Sequence, residues 1–374
     1  MATQTIIFNK DLLSINPVYN NSIIEYYSGL MTDVTYSTVT IGTNVFKVYP
    51  IAGVFTFNFL QIVKVLSNQN NFSDSIVPNL AVKYIYDDST LSLAVSAIIK
   101  IFNSTTSEQV IKNYKFIKSV EQLPSYKGKI ASSNNIRILL PTTNHTNYYL
   151  PYFEGYPNEF SIFGLVPNDN FYFKNVTTIN QSATFISNSL EAKRVFFSDG
   201  GYNEFTSNLL GLSTTTNLVE VWVNNTFKAN INIKRIESKC GLYLKWFNAN
   251  GGYSYWLFEH IFTDTLSTKI IDEINGKYDN LQNVNSISTI TGKSGNLTYA
   301  LRTTFSVLEQ EYLTSILLSP SVEMYVHQTP FNQIDKNKFV AVKLSDGAFS
   351  FDNKHSNFKL NVTITLPDLF TQTL

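Results

Sequence analysis

The sequence predicts an all-β, mainly antiparallel protein: a multi-domain chain of β-sandwiches with a few short helices, one of them packed on a C-terminal sheet. Three observations lead there. Apolar residues recur at period two in most runs. Those runs are rich in β-branched and aromatic side chains. Turn-forming dipeptides separate them, among them Asp199-Gly200, Asn275-Gly276 and Asp346-Gly347.

The elements follow in order. Phe59, Ile62, Val63 and Leu66 in FTFNFLQIVKVLSN share one face of a short helix. TLSLAVSAIIKIF places Leu91, Leu93, Val95, Ala97, Ile99 and Ile101 on one face of a strand. EQVIKNYKFIKSV admits a weak helix and a competing strand. EQLPSYKGKIASSNN, residues 121–135, combines Pro, Gly and Ser and reads as a linker. LVEVWVNN and ANINIKRIE alternate as strands, and FTDTLSTK, residues 262–269, reads as a second break. A chain of 374 residues exceeds most single cores. The expected domains are 1–128, 129–262 (with the aromatic hairpin) and 263–374.

CGLYLKWFNANGGYSYWLFEH, residues 240–260, holds two of the three tryptophans, the single cysteine and one of four histidines. Leu242, Leu244 and Trp246 alternate with Tyr243, Lys245 and Phe247; Tyr253, Tyr255 and Leu257 alternate with Ser254, Trp256 and Phe258. That is a hairpin, with Trp246, Trp256, Tyr253, Tyr255 and Phe258 as its core. Asn248, Asn250, Gly251 and Gly252 form the turn, because they tolerate positive φ. Cys240 reads as a small buried hydrophobe, and His260 as a hydrogen-bonded strand residue without a metal partner.

In SVLEQEYLTSILLSP, Ser306 and Glu309 have the spacing of a capping box. The helix over 307–318 then presents Leu308, Tyr312 and Ile316, with Leu313 beside them, and Pro320 ends it. It should lie on a sheet made of SVEMYV, FVAVKL, AFSFD and FKLNVTITL. Asp346-Gly347 and Asp352–Ser356 should turn between the last three strands. Phe358, Leu360, Val362, Ile364 and Leu366 should face the core. Exposed edges of that sheet would suit pairing with a neighbouring subunit.

Composition narrows the function. With 28 basic and 28 acidic residues the formal net charge is zero, so no long-range field draws nucleic acid or anionic membrane. One cysteine permits neither an intramolecular disulfide nor a thiolate zinc site. No apolar run reaches the roughly 20 residues of a membrane span. MATQTIIFNKDLL lacks the pattern of a signal peptide, which predicts synthesis in the cytoplasm. His145, His260, His327 and His355 have no ligand spacing, and no nucleophile elbow, phosphate loop or dinucleotide fingerprint occurs. The carboxylates of PNDN (167–170) and YDD (86–88) read as turn residues. No catalytic, cofactor-binding or metal site is expected, and no cofactor.

Three stretches together resemble a known family. They are INPVYNNSIIEYYS with FKVYPIAGVFTFNFLQIV, then CGLYLKWFNANGGYSYWLF, and finally LEQEYLTSILLSPSVEMYV with FVAVKLSDGAFSFDNKHSNFKLNVTITLP. In this order they resemble virion structural proteins of tailed bacteriophages, especially those infecting Bacteroidota, of the tail-tip or baseplate class. The resemblance implies a non-enzymatic virion subunit that forms a symmetric homo-oligomeric ring, meets other virion proteins and links the tail to host-binding components. The alternatives are a capsid, penton or spike subunit, or a module binding host surface glycans through exposed aromatics.

Overall fold

The computed structural model describes residues 6–69, 71–121, 136–141, 146–200, 209–238, 240–275, 288–326, 339–345, 349, 357–369 and 371–372. Strand makes up 58% of the chain and helix 7%, so the class is all-β.

In the first part of the chain run β1 (Ile6–Lys10), β2 (Asn16–Pro17), β3 (Ile23–Ser28), β4 (Tyr36–Ile41), β5 (Asn44–Val48) and β6 (Phe55–Asn58). Helix α1 (Leu60–Ser67) precedes β7 (Ile85–Asp88), β8 (Ser92–Phe102) and β9 (Ser107–Ile117). Then come β10 (Arg137–Ile138), β11 (Asn147–Phe153), β12 (Pro157–Phe163), β13 (Asn170–Asn175), β14 (Asn180–Gln181) and β15 (Phe185–Ile186). They lead to β16 (Ala192–Asp199), β17 (Thr216–Val223), β18 (Thr226–Ile236), β19 (Gly241–Phe247), β20 (Tyr253–Asn275) and β21 (Ser288–Ser306). A short helix α2 (Gln310–Thr314), flanked by 3-10 turns, leads to β22 (Val322–Tyr325), β23 (Phe339–Leu344) and β24 (Asn357–Thr365).

The chain divides into two compact units: Met1–Ile236 with Phe247–Ser254, and Glu237–Trp246 with Tyr255–Leu374. Neither boundary expected from the sequence coincides with this division. β7, which precedes the expected linker, pairs antiparallel with β16, which follows it, so both sides of the linker share a sheet. FTDTLSTK is not a break but lies within the continuous strand β20.

The first unit holds two sandwich-like layers. The sheet β1-β3-β6 and helix α1 cover the sheet β2-β9-β8-β4-β5. Between them Tyr26, Phe55, Phe59, Val63, Ile99 and Phe116 form a buried cluster. Phe59 and Val63 take the buried face of α1, with Ile62 and Leu66 partly buried beside them. The segment Ser107–Ile117 takes the strand alternative, because pairing with β8 over its whole length satisfies its backbone groups. The second pair is β10-β12-β16-β7 and β11-β18-β17-β13-β14, with β15 beside β13. Phe160 of β12 meets Phe173 of β13 edge to face at 5.6 Å, which joins the two sheets through their aromatics.

The second unit is a closed six-stranded barrel, β19-β20-β21-β24-β23-β22. A sheet closed on itself has no free edge around the barrel. Phe358, Leu360, Val362, Ile364 and Leu366 are all buried, as the period-two pattern requires. Lys245 of β19 stands opposite Glu323 of β22 and pairs with it, which allows a buried lysine on a strand of apolar neighbours.

Candidate functional site

The hairpin strands 241–246 and 255–259 belong to the barrel, and the tip 247–254 to the first unit. Within the barrel, Trp246 is 1% exposed; its indole N–H donates to Ser315 Oγ at 2.9 Å, and its ring meets Tyr312 edge on at 5.9 Å. Trp256 is 3% exposed and donates to Thr303 Oγ1 at 2.9 Å. Tyr255 stacks on Tyr243 at 5.9 Å, and its backbone N–H donates to Tyr312 Oη at 2.9 Å. Phe258 is buried, and its carbonyl lies so close to Gly241 that a β-carbon there would collide with it.

The tip is built by Asn248. Its carboxamide oxygen accepts the N–H of Asn250 at 2.9 Å and its amide donates to Leu139 O at 3.1 Å and Ser254 Oγ at 3.0 Å. Asn250 donates to Leu140 O at 2.7 Å. Gly251 adopts φ +88°, where a β-carbon is strained. Gly252 packs against the Leu139 carbonyl with no room for a side chain. Tyr253 is buried beneath the Arg194 guanidinium, 4.6 Å from its ring centre. Burial first, and then the nearby Asp74 carboxylate, push the Tyr253 phenol far above its ordinary range.

The capping box forms: Glu309 Oε2 accepts from Ser306 N at 2.7 Å and from Ser306 Oγ at 2.9 Å. The stripe behind it differs from expectation. Glu309, Tyr312, Leu313 and Ile316 are buried, whereas Leu308 is 80% exposed. The first turn is 3-10, with three residues per turn, and this rotates Leu308 away from the face carried by Tyr312. Asp346-Gly347 and Asp352–Ser356 lie outside the described residues, as do His145, His327 and His355.

Cys240 is exposed, not buried as expected: it lies in the connection before β19, outside the alternation that buries the strand residues after it. Among the described residues no group of three His, Cys, Asp or Glu side chains could hold a metal ion. Asp169 behaves as a turn residue, accepting Val166 N at 2.8 Å. Asp87 and Asp88 end strand β7; Asp88 Oδ1 accepts the Thr90 N–H at 2.8 Å as a turn residue, while its Oδ2 joins a buried charge cluster that the sequence did not announce. At its centre is Arg194, 0% exposed, bonded to Glu159 and Asp74 and lying 3.3 Å from Asp88 Oδ2. Burial would lower the Arg194 pKa, but Glu159 and Asp74 outweigh it and hold the guanidinium charged. The cluster is closed to solvent, which suits it to fixing strands rather than meeting a substrate.

An exposed two-stranded ribbon extends from the barrel strands β20 and β21. β20 and β21 stay paired from Thr263↔Ala300 to Asn275↔Ser288. Every residue from Thr263 to Ile274 is exposed. Thr263–Asn275 spans about 40 Å of extended chain at roughly 3.3 Å per residue. On the far side of β21, β24 pairs with Thr298–Ala300 and Leu369 bridges Gly295, which covers that edge near the barrel; among the described residues no strand but β19 and β21 pairs with β20. Leu266, Ile270, Ile271, Ile274 and Ile290 are large apolar side chains left exposed on it. Bulges at Ile270/Asp272 and Asp272/Glu273 interrupt the ladder, a feature that restricts indiscriminate edge pairing.

No family model matches the chain, and no curated protein does. Among solved structures, fibronectin(III)-like modules of CbhA from Clostridium thermocellum are similar at TM-score 0.19 and 5% identity, covering 62% of this chain and 94% of theirs. The extracellular region of plexin A4 gives TM-score 0.21 and 9% identity over 79% of this chain and 27% of its own. The CupB2 chaperone of Pseudomonas aeruginosa gives 0.18 and 8%, over 67% of this chain and 97% of its own. Likenesses this slight carry no argument about function.

Proposed function

We propose that this chain is a non-enzymatic structural subunit of a tailed-phage virion, in the tail or baseplate, that assembles with its own copies into a symmetric ring and links the tail to host-binding components. The observation that supports assembly is the exposed ribbon. An isolated two-stranded ribbon is marginal in water, and this one carries a row of large apolar side chains. Contact with a neighbouring subunit would cover those side chains and pair the outer edge of β20. The barrel gives the ribbon a firm base, since β20 and β21 run from it without interruption. The place in a phage particle rests on the three sequence stretches described above.

Light scattering and negative-stain microscopy of the full chain test the assembly, with rings of one defined copy number expected. Replacing Leu266, Ile270, Ile271 and Ile274 together by Thr should reduce the mass to a monomer while the melting temperature is kept. A monomeric parent, or a ribbon variant that assembles like the parent, overturns the reading. Mass spectrometry of purified particles tests the location, and absence of the chain from them refutes it.

A further inference from the structure

The outer face of the sheet β11-β18-β17-β13 combines aromatic rings with hydrogen-bonding side chains in a way that packing does not require. The inward positions are filled by Phe171, Phe173, Val219, Val221, Ile231 and Ile233, all buried. On the outward side, Tyr172 and Trp222 stand directly opposite each other, half-buried, with rings parallel within 6° and centres 6.1 Å apart. Phe227, 39% exposed, extends the row by meeting Trp222 edge on at 6.1 Å. A β-bulge between Val221 and Trp222 brings Phe227 to that position.

Two residues along each strand lies a polar row, roughly 7 Å from the rings by strand geometry. Lys174 stands opposite Glu220, and Glu220 opposite Asn230. Glu220 Oε2 accepts the Trp222 indole N–H at 2.9 Å, which fixes the ring and the carboxylate together. The Asn230 amide donates to Asn147 Oδ1 at 3.1 Å, continuing the row onto β11.

We infer that this face binds a neutral oligosaccharide. A pyranose ring presents an apolar C–H face, which an aromatic surface covers, and a rim of hydroxyls, which carboxylate and carboxamide groups bind. The aromatic row supplies the first and the Glu220–Asn230 row the second, spaced about one sugar residue apart. A protein partner would have to desolvate Lys174, Glu220 and Asn230 inside its contact, which disfavours a buried interface core. Single-stranded nucleic acid also stacks on aromatics, but Lys174 and Glu220 stand opposite each other and their charges offset, so the row offers phosphates no net positive charge. The inference concerns the first unit alone and does not rest on ring assembly.

Fluorescence reads this face selectively. Of the chain's three tryptophans, Trp246 and Trp256 are buried, so acrylamide quenching reports Trp222. The full chain is screened on an array of bacterial and host-surface glycans, then titrated with soluble β-glucan, mannan and dextran oligosaccharides and with a single-stranded DNA oligonucleotide. A neutral oligosaccharide should protect Trp222 from quenching. Array affinity should fall roughly tenfold or more in Trp222→Ala and Tyr172→Ala and survive in part in Trp222→Phe. Thermal melting of each variant checks that the sheet is intact, and Tyr172→Phe provides a variant with the ring retained. The inference is overturned if no neutral glycan binds, if binding persists in both alanine variants, or if only the oligonucleotide protects Trp222.

Discussion

Arg194→Met tests the buried charge cluster most directly. The substitution keeps much of the side-chain length but removes the guanidinium from Glu159, Asp74 and Asp88, leaving three carboxylates around an apolar side chain. Breaking a buried pair by removing one partner costs about 3–5 kcal/mol. Here one cation serves more than one anion, so the upper end of that range applies. Lost contact of the guanidinium with the rings of Phe196 (4.9 Å) and Tyr253 (4.6 Å) adds roughly 1 kcal/mol. Domains are stable by about 5–15 kcal/mol, so the variant should sit near its unfolding threshold. Urea denaturation read by tryptophan fluorescence measures the change, with the slope checked for constancy. Adding Glu159→Gln and Asp74→Asn to the methionine variant should recover part of the loss, because two of the three stranded carboxylates are then neutral and only Asp88 remains. A midpoint for Arg194→Met within about 1 kcal/mol of the parent, or no recovery in the triple variant, refutes the electrostatic account.

Trp246→Ala should cost about 3–5 kcal/mol, as a large buried ring is lost and Ser315 loses its donor; calorimetry of the full chain measures it. Gly252→Ala should destabilise by about 1–3 kcal/mol, because its β-carbon meets the Leu139 carbonyl, whereas Gly155→Ala has open space and pays only for its positive φ. Asp11 is partly exposed: burial alone would raise its carboxyl pKa, but hydrogen bonds from Lys112 and Tyr114 outweigh that and lower it below 3.8. Its contribution is therefore present above pH 3.8 and lost as the pH falls through the lower folded-state value. Asp11→Asn should differ from the parent by under about 1 kcal/mol at neutral pH, with the difference vanishing in acid, as pH-dependent melting will show.

The strands that bury one face were legible from period two, as in β8 and β24, where every second residue enters a core. The hairpin turn was legible too, because Asn248 and two glycines leave few conformational alternatives. Strands buried on both faces were not. β16 is buried from Ala192 to Ser198 and carries Lys193 and Arg194 inside, against partners as far away as Asp74. Alternation says nothing about charges satisfied by residues more than a hundred positions distant. Barrel closure escaped for the same reason, since it rests on β19 meeting β22 across the intervening strands. The ribbon escaped because its Thr, Ser and Asp residues look like a linker until the register with β21 is known. The outward row Tyr172, Trp222 and Phe227 was visible as letters, but its grouping depends on cross-strand pairing and a bulge.

The eight residues 247–254 have a consequence for how this chain can be made and divided. They belong to the first unit although the chain has by then already entered the second. Within that first unit, Val120 N donates to Ala249 O at 2.8 Å, and Asn248 and Asn250 hold the carbonyls of Leu139 and Leu140. During synthesis, the ribosome must therefore release about a dozen residues beyond Ile236 before those carbonyls find their donors. A truncation ending at Ile236 contains every strand of the four sheets of that unit and still leaves polar backbone groups uncovered. Cutting at 254 keeps those bonds but separates the hairpin from the strands that close its barrel. Limited proteolysis should accordingly yield no stable fragment ending near residue 236.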